Sequence, residues 1–92
     1  MRTPDTNSDD AEVVALSALA WTLGDDGRAQ RLLALTGMTP EGLRSGLADT
    51  AFLTAALAFL EAHEPDLIAC AEHLGLPPQR LVEARATLER SR

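Results

Sequence analysis

The sequence is poor in aromatic side chains, cysteine and positive charge. Aromatic residues make up 3% of the 92 residues while hydrophobic residues make up 46%, so the composition predicts a core of Leu, Ala and Val. The single cysteine, Cys70, excludes an internal disulfide and is typical of a reducing compartment. No run approaches the ~20 apolar residues of a membrane span, and residues 1–10 contain no apolar segment typical of a secretory signal. These absences predict a cytoplasmic protein.

The charge balance argues against two classes of partner. The formal net charge is −6, and the basic residues form no cluster along the chain. Nucleic acids and anionic membranes both require clustered basic side chains. We therefore expect neither as a partner, whereas a partner protein with a basic surface is compatible with this charge.

The chain matches itself when it is shifted by 38 positions without a gap, which places Trp21 on Phe59 and Gly37 on Gly75. The segment 37–43 (GMTPEGL) then aligns with 75–81 (GLPPQRL). Glycine ends helices, and proline is favoured at their first position. We therefore predict two three-helix units, 10–47 and 48–88, packed face to face about an approximate two-fold axis.

Cap residues and apolar spacing predict six short helices and no strand. A disordered tail is expected at residues 1–8, followed by a single all-α domain at 9–90, a compact array of these helices. The first helix starts from a capping box at Asp9 and the third from Thr39 followed by Pro40. The predicted helices cover about 10–23, 28–36, 40–48, 50–62, 66–74 and 78–90. The fourth is the most apolar, so it is predicted to lie centrally.

Three residues in the second half could ligate zinc. Cys70 and His73 are three apart on one predicted helix, and His63 lies one short loop upstream. A fourth ligand would have to be one of the nearby carboxylates, Glu64, Asp66 or Glu72. The paired spacing of structural zinc sites is absent, and both histidines fall in the last turn of a predicted helix, where they can bond free carbonyls. We therefore predict no metal site, with Cys70 packed as a small apolar residue.

The sequence also gives little support to catalysis. A cysteine nucleophile needs an exposed, electropositive setting, whereas the neighbours of Cys70 are apolar or acidic and raise a thiol pKa. The acidic pairs Asp9–Asp10 and Asp25–Asp26 lie at predicted helix starts, where carboxylates ordinarily cap. We predict no catalytic or cofactor-binding residue, no cofactor, no small-molecule ligand and no enzymatic activity.

Two functions remain for comparison. Small helical arrays commonly bind a partner helix in a groove, so the chain is predicted to be a protein-interaction or structural module that binds another protein or a second copy of itself. Trp21 is predicted to be a core residue, and its exposure would instead indicate an interface. The alternative is nucleic-acid binding, because segment 74–81 is similar to the turn of a helix-turn-helix. The last helix carries Arg80, Arg85 and Arg90, but also Glu83 and Glu89, which a DNA backbone repels.

Several runs of the first half resemble one protein family. They are the segment 18–21 (ALAW) before an acidic turn, then 33–40 (LALTGMTP) and 43–44 (LR). They are similar to a family of alpha-proteobacterial proteins known as domain of unknown function 3572, over Asp10 to about Leu88. The resemblance implies a bacterial cytoplasmic protein and brings no functional residues with it.

Overall fold

The computed structural model of the chain describes residues 4–37, 39, 41–42 and 50–90. These residues contain five longer α-helices and no strand: α1 (Pro4–Leu23), α2 (Asp26–Thr36), α3 (Thr50–Glu61), α4 (Glu64–Leu74) and α5 (Pro78–Arg90). The all-α class is therefore confirmed for the described residues. The predicted helix at 40–48 lies largely outside them, so the count of six stays a prediction. None of the described helices has the length and apolar character required to cross a membrane.

The predicted cap residues take the expected conformations. Asp25 caps α2, and its Oδ2 accepts a hydrogen bond from the Arg28 backbone N–H at 3.0 Å. Thr39 Oγ1 accepts from the Gly42 backbone N–H at 3.0 Å, which is the N-cap geometry predicted there. Gly37 and Gly75 follow α2 and α4 with φ of 72°, a left-handed conformation that glycine adopts without a steric penalty.

Two helix starts differ from the predicted ones. α1 begins at Pro4 and runs through Asp9, so Asp9 lies inside the helix and does not cap it. α4 begins at Glu64 and not at Asp66, with Pro65 in its first turn. Proline lacks an N–H, and the N–H groups of the first turn have no partner within the helix in any case, so both prolines are compatible with the earlier starts.

The helix boundaries follow the 38-residue shift. α2 covers 26–36 and α4 covers 64–74, so both of their ends differ by the shift that aligns the sequence with itself, while α1 and α3 end at the corresponding residues 23 and 61. The surroundings of the paired helices differ. Among the described helices, α2 packs mainly against α1 and α3, whereas α4 packs mainly against α1, α3 and α5. The two-fold arrangement of the units stays a prediction.

The core lies between α1, α3 and α5. α3 supplies the largest share of buried side chains and contacts each of the other described helices, so its predicted central position is confirmed. α2 contributes only Leu32. The buried apolar residues are Ala11, Ala15, Ala18, Leu19, Leu32, Phe52, Leu53, Ala56, Leu57, Phe59, Leu60, Leu67, Cys70, Ala71, Leu81, Ala84 and Leu88.

Candidate functional site

The three residues considered as zinc ligands lie in different environments, one in the core and two on the surface. Cys70 is fully buried in the core, and His73 lies exposed in the last turn of α4 as predicted. His63 precedes α4 as its N-cap residue, so its predicted place in the last turn of a helix is wrong. Its Nε2 lies 4.0 Å from Asp66 Oδ2. In the described ranges, no group of three or more His, Cys, Asp or Glu side chains is arranged to hold a metal ion.

The Cys70 thiol has the electrostatics of a packing residue. Burial raises the pKa of Cys70 to about 11, an effect that the Arg28 charge opposes and the Asp66 charge reinforces. At neutral pH the side chain is therefore a protonated thiol, and the thiolate required of a nucleophile is scarce. Its place in the core agrees with the small apolar role predicted for it.

Two arginines of α2 form cation–π contacts with aromatic rings of neighbouring helices. The Arg28 guanidinium lies over the Trp21 ring at 3.6 Å from the centroid, and Arg31 lies 5.8 Å from the centroid of Phe59. Arg28 Nη2 also donates to the Trp21 carbonyl at 2.9 Å, and Arg31 Nη2 donates to Asp66 Oδ2 at 3.0 Å. Trp21 is half-buried at the edge of the core, so it lies between the two environments considered from the sequence.

The first candidate site is an apolar groove between α2 and the end of α3, which we call the Leu35 groove. Its volume is about 410 Å³, and it is lined by Arg31, Ala34, Leu35, Phe59, Ala62 and His63. Leu35 is the most exposed of the large apolar side chains described, with 74% of its surface open to solvent. By helical spacing it lies on the same face of α2 as Leu32 and Arg31. The groove can therefore accept apolar side chains between an Arg and a His.

The second candidate site, the Arg28 pocket, lies where the end of α1, the start of α2 and the end of α4 meet. Its volume is about 550 Å³, and it is lined by Ser17, Ala20, Trp21, Gly24, Arg28, His73 and Leu74. None of these lining residues is acidic. The pocket thus combines an apolar wall with a guanidinium, an imidazole and a hydroxyl.

A third groove runs between α1 and α5, and its charges are mixed. It is lined by Asp10, Ala11, Arg80, Glu83, Ala84, Ala86, Thr87 and Arg90. Arg80 Nε lies 3.9 Å from Glu83 Oε1, within reach of a weak, exposed ion pair. Because carboxylates line this groove beside the arginines, it has less net positive charge than its arginine content suggests.

The remaining arginine of α5 is held by carboxylates. Arg85 contacts Glu61 of α3 through Nε and Nη2, the latter at 3.1 Å, and donates from Nη1 to Glu89 Oε2 at 2.9 Å. These hydrogen bonds, the one to Glu61 first, raise the pKa of Arg85 above its usual range. Arg85 therefore joins α5 to α3.

Sequence reasoning singled out Trp21, His63 and His73 but missed the α2 residues that line the first two sites with them. The apolar spacing of α2 suggests that Leu32, Leu33 and Leu35 all support the core, and only packing shows that Leu35 stays exposed. The signal available was the spacing of Arg28, Arg31 and Leu35, which places them on one helical face. The aromatic residues opposite them come from other helices, which a local pattern does not reveal.

Comparison with known proteins places the chain in a family without identifying an activity. No curated protein and no solved structure shows a significant match to it. A family model described as "Protein of unknown function (DUF3572)" matches residues 8–91, nearly the whole chain, in agreement with the resemblance of its helix-boundary segments. The chain belongs to the DUF3572 family.

Proposed function

We propose that this protein is a cytoplasmic, non-catalytic interaction module that binds an amphipathic helix of a partner protein in the Leu35 groove. Helix-in-groove binding uses apolar anchors at helical spacing and a small number of polar contacts that fix orientation. The Leu35 groove offers both features on the surface of one small domain.

The exposure of Leu35 carries this proposal. A leucine on the same face of α2 as the buried Leu32 would ordinarily be covered, yet Leu35 is 74% exposed. It also borders the ring of Phe59 across a groove of about 410 Å³. Single exposed leucines are common, but one beside an aromatic-lined groove is typical of a contact surface.

The charges around the groove suggest the chemistry of the partner. Arg31 and His63 line it, and both approach the single carboxylate of Asp66. A partner helix with an acidic residue beside its apolar face would complement these side chains. The net charge of −6 favours basic residues elsewhere on the partner, facing the rest of the domain.

Nucleic-acid binding has less support from the geometry. Arg80 lies near Glu83, and Arg85 contacts both Glu61 and Glu89. A phosphate would have to compete with these carboxylates for the same guanidinium groups. We therefore place the interaction in the α2–α3 region and not on α5.

Capture from a native bacterial lysate, with a matched pair of variants, tests this proposal. Leu35→Ser removes the groove leucine, while Val13→Ser removes a comparable apolar side chain on α1 that is 62% exposed and outside the groove. We expect one nuclease-resistant protein to be retained by the wild type and Val13→Ser and lost by Leu35→Ser. A synthetic peptide of the captured segment should then become helical on binding.

Three results would contradict the proposal. Equal capture by both variants would place the interaction elsewhere. A nucleic acid recovered in place of a protein would favour the alternative function. A concentration-dependent dimer that Leu35→Ser abolishes, measured by light scattering, would identify a second copy of the chain as the occupant.

A further inference from the structure

We propose that the Arg28 pocket binds a small organic carboxylate, with the carboxylate on Arg28 and an apolar body against Trp21 and Leu74. This inference concerns a different cavity from the Leu35 groove, formed with the ends of α1 and α4, and does not depend on the proposed function. Small-molecule binding was not expected from the sequence, because the groups that form the pocket come from three different helices.

The position of the guanidinium is fixed before any ligand arrives. The Asp25 side chain accepts a hydrogen bond from the Arg28 backbone N–H, the guanidinium carbon lies over the Trp21 ring at 3.6 Å from its centroid, and Nη2 donates to the Trp21 carbonyl at 2.9 Å. A preorganised planar donor loses little conformational entropy when it binds a carboxylate.

The charge on Arg28 has no carboxylate opposite it among the described residues. Within the described part of the chain, Arg31, Arg80 and Arg85 each lie within 4.0 Å of an Asp or Glu oxygen, whereas Arg28 and Arg90 form no such pair. Of these two arginines, Arg90 lines a groove that also contains Asp10 and Glu83, whereas the residues that line the Arg28 pocket include no acidic side chain. The Asp25 carboxylate is close in sequence, but its Oδ2 accepts the Arg28 backbone N–H of the helix cap.

One atom of Arg28 shows that this arrangement is not optimised for hydrogen bonding within the protein. Its Nε is buried and has no hydrogen-bond partner among the residues that the structure describes. Buried donors are nearly always bonded, and exceptions occur often at functional positions. Stacking on Trp21 therefore holds the guanidinium in place at the expense of one donor.

The rest of the pocket selects the class of ligand. His73 and Ser17 supply further polar groups, while Ala20, Trp21 and Leu74 supply an apolar wall. A volume of about 550 Å³ is within the range of small-molecule sites. A free inorganic anion would use the guanidinium but leave the apolar wall uncovered, so an organic carboxylate fits better.

Trp21 is the only tryptophan and the chain has no tyrosine, so intrinsic fluorescence reports directly on the pocket. The probe is phenylacetate, and its neutral amide, phenylacetamide, is the matched control. We expect saturable binding of phenylacetate with a Kd of about 1 mM, which is the affinity range of a small fragment. The amide should bind about tenfold more weakly, or weaker still. Inorganic phosphate should bind more weakly than phenylacetate.

Variants locate the binding at Arg28. Arg28→Gln should weaken phenylacetate binding about tenfold or more, as loss of a charge-assisted hydrogen bond implies, whereas Arg90→Gln should bind like the wild type. Arg28→Gln also removes the cation–π contact with Trp21, so a second variant is needed. His73→Gln changes an exposed side chain of the pocket and should weaken phenylacetate binding a few-fold. Amide shifts of Ala20 and Gly24 in ¹⁵N NMR spectra provide a readout that is independent of the fluorophore.

The wild-type comparison alone can overturn the proposal. No saturation by phenylacetate, or equal binding of acid and amide, would show that no carboxylate site exists. Equal affinity for phosphate and phenylacetate would show that the apolar wall contributes nothing to binding, and would contradict the proposal that the ligand is an organic carboxylate. Undiminished binding by folded Arg28→Gln would place the site elsewhere.

Discussion

Leu32 and Leu35 are one helical turn apart on α2, and the same substitution should have very different effects at the two positions. Leu32 is fully buried, while Leu35 is 74% exposed. Leu→Ala at a buried site removes transfer free energy and leaves a cavity, at a total of about 2–5 kcal/mol. Because α2 packs mainly against α1 and α3 among the described helices and can move into the cavity, we expect about 3 kcal/mol for Leu32→Ala.

The same change at Leu35 should cost at most about 0.5 kcal/mol, since little of that side chain leaves water on folding. The two variants have the same change in helix propensity, so the difference reports burial. For a chain of 92 residues, about 3 kcal/mol is a large part of a total stability of about 5–14 kcal/mol and lowers Tm by about 12–24 °C.

Thermal and urea unfolding followed by circular dichroism at 222 nm measure both values, and an unchanged m-value would confirm that the denatured states are comparable. Equal destabilisation by the two variants would refute the orientation of α2 described above. It would also remove the basis for the Leu35 groove, because Leu35 would then be a core residue.

Three further predictions concern a cap, a thiol and an ion pair. Gly75→Ala should destabilise the protein by about 1 kcal/mol in urea unfolding, because φ is 72° and no neighbouring atom within 4 Å adds a clash or a contact. Cys70 should resist iodoacetamide in the native protein at pH 8 and react on unfolding. The pKa of Cys70 is about 11 in the folded protein and 9.0 for an ordinary cysteine, so the thiol of the unfolded state loses its proton at lower pH. The contribution of Cys70 to stability therefore falls between about pH 9 and pH 11, and a Cys70→Ala variant should lack this pH dependence. A double-mutant cycle with Glu61→Gln and Arg85→Gln should give a coupling free energy of about 1–2 kcal/mol, since the pair is bidentate and partly buried, and a value near zero would show that it contributes nothing to the α3–α5 contact.

Local chemistry explains which parts of the fold were predictable. The caps at Asp25, Thr39, Gly37 and Gly75 depend on a few neighbouring residues, and each has the predicted geometry. The start of α1 was missed because proline at position 4 is as compatible with a first helical turn as with a tail.

The candidate sites depend on tertiary packing and were not predictable in the same way. The sequence gives Arg28 and Trp21 a separation of seven residues across a turn, which indicates no contact by itself. The structure brings them together because α2 folds back onto the end of α1. Similarly, periodicity places Leu35 on the same face of α2 as Leu32. It does not indicate that Leu32 is buried by the neighbouring helices while Leu35 stays exposed.

The unequal burial of α2 and α4 has a thermodynamic consequence. α2 buries one side chain, whereas α4, its counterpart in the 38-residue shift, buries Leu67, Cys70 and Ala71. α2 should therefore open at a lower free energy than global unfolding, and its amides should exchange with deuterium before those of α4. Any ligand that binds only the closed form stabilises it by RT ln(1 + [L]/Kd), so a helix in the Leu35 groove and a carboxylate on Arg28 would both protect α2. Two sites that share α2, one near its start and one near its end, would then be coupled without any contact between their ligands, in proportion to the population in which α2 is open.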